Sequence, residues 1–254
     1  MKDEGLSLAW RSGAAPAGGA PVAALARLRQ GCYRLLSQSL LFPQEERLRT
    51  LALAAQELSR RGRRSRAASY YLGWGEFLDA VEHFAAQELA TLRTHYARGF
   101  FAGPAGAPCP LYESSYVSSG PAAQGWFLGQ LAKEYAEAGV TPSPHSGEPG
   151  DHAAVELEFM GYLCSMEGEA WEQEDLSQAV QALRRQERFL QEHLTGYLPG
   201  VSRSVGCCSA CTSYAHILEA ASDFVLCDFD LVRALHQRFQ ECLSPSEVVA
   251  SGLP

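Results

Sequence analysis

Residues 148–163 read EPGDHAAVELEFMGYL. They overlap the end of a Pro/Gly-rich stretch, GVTPSPHSGEPG, and open a helical pattern. At about 100° per residue, Ala153, Leu157, Met160 and Cys164 fall on one face, and Val155, Phe159, Tyr162 and Met166 fall nearly opposite. A helix that is apolar on two sides is packed on both, so this segment is expected at the centre of a helical bundle. Asp151 stands where an N-cap stands, its carboxylate accepting from free N–H groups of the first turn. His152 and Glu156 share one narrow flank, either lining a groove or simply paired with each other. Glu158 points about 160° away from Glu156, so the three cannot converge on one ion, and a zinc site needs at least three protein ligands.

Outward from this segment the pattern stays helical. Leu25, Leu28, Cys32, Leu35, Leu36 and Leu40 recur at three- and four-residue steps until Pro43. Further helices are expected over 44–60, from Trp74 to Ala97, from Pro121 to Ala138, from Asp175 to Leu194, and over 204–227 and 230–243. No run alternates long enough for a strand, and no repeat recurs at solenoid periods. The expectation is an all-α fold: a single-domain bundle of about eight to ten helices. Residues 1–20, rich in Gly, Ala and Pro, are expected to form a disordered tail, and residues 21–254 the helical domain. Residues 99–121, GFFAGPAGAPCPLYESSYVSSGP, hold too many prolines and glycines for regular structure. They also carry too many aromatics for a linker, so a long loop ordered against the body is expected.

The chain has 254 residues, 46% of them hydrophobic, a formal charge of −8 and a pI near 5.4. An acidic balance argues against a sequence-independent nucleic-acid binder and suits a basic partner. RRGRRSR, from Arg60 to Arg66, is a basic block that reads as a solvated inter-helix loop or, more sharply, as a polyanion contact. No apolar run reaches the length of a transmembrane helix, and the N-terminus lacks the basic start and apolar core of a secretory signal. A cytoplasmic chain with reduced thiols is expected, although it holds eight cysteines. GCCSAC places Cys207, Cys208 and Cys211 together; Cys208 and Cys211 form a C-x-x-C that binds metal, cycles redox or simply packs where helices cross, with His216 as one more ligand candidate. No nucleophile elbow, phosphate loop or dinucleotide fingerprint accompanies His152, so no enzyme is expected.

Three passages resemble one family, the TorD/DmsD/NarJ redox-enzyme maturation chaperones. Glu148, Pro149, Asp151 and His152, followed by Glu156, Leu157, Glu158 and Phe159, resemble its acidic-Pro-x-Asp-His signature. Phe101, Gly103, Pro104, Pro110, Tyr112, Glu113 and Ser114 resemble its F-x-GP…P-x-Y-E-S passage. Phe189, Leu190, His193, Leu194 and Pro199 resemble its F-L-x-x-H-L segment. Gly150 stands where the pattern carries proline, and Tyr197 where it carries tryptophan. The resemblance implies a cofactor-free helical chaperone, in the cytoplasm, for the catalytic subunit of a molybdopterin-dependent oxidoreductase. Such a protein holds its client during molybdenum-cofactor insertion, binds its twin-arginine leader and delays export. A groove for that basic-apolar leader pairs carboxylates with apolar walls. Asp151, Glu156 and Glu113 are the candidate acids, Tyr112, Tyr116, Trp126 and Phe127 the candidate walls, and His152 the residue that positions them. Neither nucleic acid nor stable membrane insertion is implied. The alternative is a metal-binding helical protein using Cys207, Cys208 and Cys211.

Overall fold

A computed structural model describes residues 19–64, 73–101, 106–117, 120–141 and 147–243. The chain order is α1 (Gly19–Leu40), α2 (Glu45–Arg64), α3 (Trp74–Ala85), α4 (Leu89–Phe100), the short α5 (Ser114–Val117), α6 (Pro121–Glu137), α7 (Ala153–Glu172), α8 (Leu176–Phe189), α9 (Thr195–Gly206) and α10 (Ala215–Leu243). Among the described residues there is no strand; an isolated antiparallel bridge pairs Tyr112 with His152. The fold is all-α.

α7 occupies the centre, as its two-sided apolar pattern requires. Ala153, Leu157, Met160 and Cys164 on one side, and Val155 and Phe159 on the other, are all buried. One side lies along α1, the other against α8. Apolar residues of every long helix join a single core, with α6 contributing Leu131 and Tyr135.

Polar groups also sit inside. Arg29 of α1 is fully buried and grips Asp228 of α10 twice, Nε–Oδ1 at 2.7 Å and Nη2–Oδ2 at 3.0 Å. Its Nη1 donates to Glu167 of α7 at 2.5 Å, and it also donates to Gln186 of α8. Tyr33 donates to Asp228 and Trp171 to Glu167. One guanidinium thus ties four helices together, with its carboxylates satisfied by further donors.

Several boundaries differ from expectation. The segment from Trp74 to Ala97 is two helices, broken at Ala86–Glu88, where the Gln87 side chain donates to the Ser213 carbonyl and Glu88 turns extended. No Gly or Pro marks that break, so the sequence pattern runs through it. The expected break near Asp228 does not exist, because Asp228 is an internal partner of Arg29 and α10 runs unbroken past it. The expected stop at Leu194 is instead a π turn, Leu190–Leu194, leading directly into α9 with Pro199 inside it. The wide turn is a bulge of the kind that re-aims side chains. α2 runs to Arg64 rather than ending near Arg60, so the backbone of Arg60–Arg64 is helical and not loop. Arginine is a good helix former, and cations suit a helix C-terminus. The rest of that basic block, the tail through residue 18, Gly103 and Pro104 lie outside the described residues.

Candidate functional site

The aromatic loop docks on the entrance to α7 through its backbone. Ala153 N–H donates to the Leu111 carbonyl at 2.8 Å, and Glu113 N–H donates to the Asp151 carbonyl at 2.9 Å. Leu111 and Cys109 are buried beneath it. This docking brings Tyr112, Glu113, Asp151 and His152 together, but it turns the acids inward.

The helix cap is His152, not Asp151. His152 Nδ1 accepts from the Ala154 N–H at 3.1 Å, while its Nε2 lies 3.8 Å from Glu148. Burial holds its pKa down at about 4, so the ring is neutral at pH 7 and carries its proton on Nε2. The edge of Tyr112 meets the ring, and the Tyr112 hydroxyl bonds to Glu148. Asp151 is buried, and its carboxylate accepts from the Ser114 N–H at 3.3 Å, at the start of α5. Asp151 therefore anchors the loop and does not cap α7. A residue that ends an irregular loop has more than one set of free N–H groups within reach, which sequence spacing alone does not separate.

The expected His152–Glu156 pair is not formed. Glu156, fully buried, accepts from the Tyr197 hydroxyl at 2.9 Å and faces Glu113 across the core. Burial first, and then the charge of Glu113, push its pKa well above the carboxylate range. Among the described residues no donor reaches Glu113 Oε1 or Glu156 Oε1; the raised pKa of Glu156 favours its protonated form, which relieves the repulsion between the two carboxyls. Glu113 Oε2 meets His193 Nδ1 at 2.8 Å, and His193 Nε2 meets Glu134 at 3.5 Å. Burial works against the charged ring, but the hydrogen bonds and charges of Glu113 and Glu134 outweigh it and raise the pKa to about 9. Arg188 closes the chain on Glu134 at 3.2 Å and lies near Glu137 and Glu192. The group Glu134, Glu192 and His193 has metal-like spacing, but Arg188 already supplies its cation. This hub locks the loop to α6, α7 and the π turn. Glu158 is exposed on the far side, as its helical phase requires.

The two histidines predict a stability window. A histidine held down at about 4 contributes fully above its ordinary 6.5 and loses that contribution as the pH falls toward 4. His152→Asn keeps a capping side chain without the titration. Urea unfolding should then lose less stability than wild type on acidification, by about 2 kcal/mol between neutral pH and pH near 4.

Among the described residues, two open surfaces combine aromatic and polar side chains. α6 turns its first half outward: Trp126 is 70% exposed, and Tyr116, Val117 and Leu128 are exposed with it. Tyr116 rests on Tyr197 and donates to the Pro110 carbonyl; Phe127 is half-buried against His193. The second surface was not anticipated. A cavity of about 540 Å³ runs between α3 and α10. Glu76, Asp79 and His83 line it from one helix, His216, Glu219 and Asp223 from the other, around Trp74, Phe77 and Phe224. Among the described residues no cation bonds Glu76, Asp79 or Asp223. The i, i+3, i+7 steps on each helix were visible in the sequence, but not that the two stripes face each other. His216 belongs to this cleft, beside His83, and not to the cysteines.

The cysteine cluster is also redrawn. Cys208 and Cys211 come together with Cys109 from the aromatic loop, their sulfurs within 4.8 Å of one another, while Cys207 is exposed and outside the group.

The family model for the nitrate reductase delta subunit matches residues 65–203, more than half of the chain. The chain belongs to that family. The nitrate reductase delta family, of the NarJ/TorD type, is a family of molybdoenzyme maturation chaperones. The matched span covers the loop, the α7 entrance and the π turn, the three segments joined at Glu113, Asp151 and His193. No curated protein and no solved structure matches the chain. No described helix is long and apolar enough to cross a membrane.

Proposed function

We propose that this protein is a cytoplasmic chaperone of the apo catalytic subunit of a molybdopterin-dependent oxidoreductase, assisting cofactor insertion and delaying export. The client's basic-apolar leader lies in the α3–α10 cleft. The observation that carries this placement is the cleft's chemistry: Glu76, Asp79 and Asp223, carboxylates with no cation bonded to them among the described residues, arranged around Trp74, Phe77 and Phe224. An arginine pair satisfies the carboxylates, and an apolar segment packs along the cleft between them. Exposed Trp126 and Tyr116 offer a second contact for the body of the client. Glu113, Asp151, His152 and Glu156 act from inside, fixing the loop that carries Tyr112 and Tyr116.

Charge pairing makes the leader's affinity depend on salt. Titration of a twin-arginine peptide into the protein should give a Kd that weakens steadily as ionic strength rises. Asp79→Lys with Asp223→Lys should weaken it by about tenfold or more at low salt, since attraction becomes repulsion. Salt-independent binding, or an unchanged Kd in the double variant, removes the leader from this cleft.

A further inference from the structure

Cys109, Cys208 and Cys211 are absorbed neither by the hub nor by the cleft. They come from two distant segments, the aromatic loop and the turn between α9 and α10. Cys109 Sγ and Cys211 Sγ stand 3.8 Å apart, and all three sulfurs lie within 4.8 Å of one another. Tetrahedral thiolates on zinc, with Zn–S near 2.3 Å, stand about 3.8 Å apart. The three thiols therefore already hold close to the spacing of one face of such a tetrahedron.

The surroundings are built to keep them there. The Cys109 N–H donates to the Gly99 carbonyl at 3.0 Å, fixing the loop against the end of α4. Gly99 itself presses on Cys211: a Cβ on Gly99 would stand 2.4 Å from Cys211 Cβ, so no other residue fits without displacing the turn. The Cys211 N–H donates to the Cys208 carbonyl at 3.3 Å, closing the C-x-x-C turn and fixing the two sulfurs on one side of it. Cys109 and Cys211 are buried, and Cys208 is half-exposed, which leaves water a way in at one side.

We propose that Cys109, Cys208 and Cys211 bind a zinc ion, with water or a client group in the fourth position, and that the ion clamps the aromatic loop to the α9–α10 turn. Thiolate donors favour soft and borderline ions, and an open side suits the four-coordinate geometry of zinc over a closed trigonal site. Binding displaces the thiol protons into solvent.

The test uses the full chain, reduced and stripped of metal. Added Co²⁺ should give sulfur-to-cobalt charge-transfer absorption with the visible bands of tetrahedral cobalt, and a stoichiometric amount of Zn²⁺ should abolish both. Cys208→Ser, at the half-exposed position, and Cys109→Ser should lose the charge-transfer band. Their zinc affinity should fall by about a hundredfold or more, since even an outer-shell partner is worth about ten- to hundredfold. Cys207→Ser and Cys242→Ser, both exposed and outside the cluster, should keep the band. Circular dichroism checks that each variant is folded; if Cys109→Ser does not fold, Cys208→Ser and wild type decide the matter. A reduced wild type without the charge-transfer band overturns the proposal. So does a band that survives Cys208→Ser and disappears with Cys207→Ser, or a disulfide within the cluster under the same conditions.

Discussion

Arg29→Ala is expected to lower folding stability by about 3–5 kcal/mol, because it strands buried carboxylates that have no route to water. Asp228 loses both of its guanidinium bonds and Glu167 its ion pair, deep between α1, α7, α8 and α10. The melting temperature should fall by about 10 °C. Arg27, two residues away, bonds to Glu172 in a pair that is largely solvent-exposed. Arg27→Ala should therefore change stability by no more than about 1 kcal/mol. Chemical denaturation of the two variants side by side is the check. Similar effects for both would mean that the Arg29 cluster does not hold the helices together.

His193→Gln should cost about 2–4 kcal/mol at neutral pH, since the cation between Glu113 and Glu134 is replaced by a neutral amide. The pH dependence distinguishes charge from shape. A folded-state pKa of about 9, above the ordinary 6.5, adds stability that is complete below 6.5 and is lost as the pH rises through 9. Wild type should lose up to about 3 kcal/mol over that range, and His193→Gln should show no such loss. Equal alkaline slopes in the two proteins would mean that His193 is uncharged in the fold.

What the sequence made legible was local. The two-sided apolar phase of α7 is written in its own residues, and it placed that helix at the centre. The phase of α1 likewise puts Arg29 on the face of Leu25, Leu28, Cys32 and Leu36, so its burial was readable, although its partners in α7, α8 and α10 were not. The candidate acids were expected along a groove, paired with a basic-apolar leader. Glu113, Asp151 and Glu156 are buried because His193, Ser114 and Tyr197 come to meet them from segments far along the chain. Cys109 had no local signal at all: a lone loop cysteine acquires its partners only when the loop folds onto the α9–α10 turn. The α3–α10 cleft was hidden for the same reason, its acids reading as two ordinary solvated faces until the helices are set side by side.

The most direct measurement is affinity capture of the tagged protein from its host's cell extract, with co-purifying chains identified by mass spectrometry. It is run for wild type and for the Asp79→Lys, Asp223→Lys double variant. Wild type should recover the catalytic subunit of a molybdopterin-dependent oxidoreductase, and the double variant should recover several-fold less. Failure of wild type to recover any such subunit would contradict the chaperone reading, and equal recovery by both would move the leader out of the cleft.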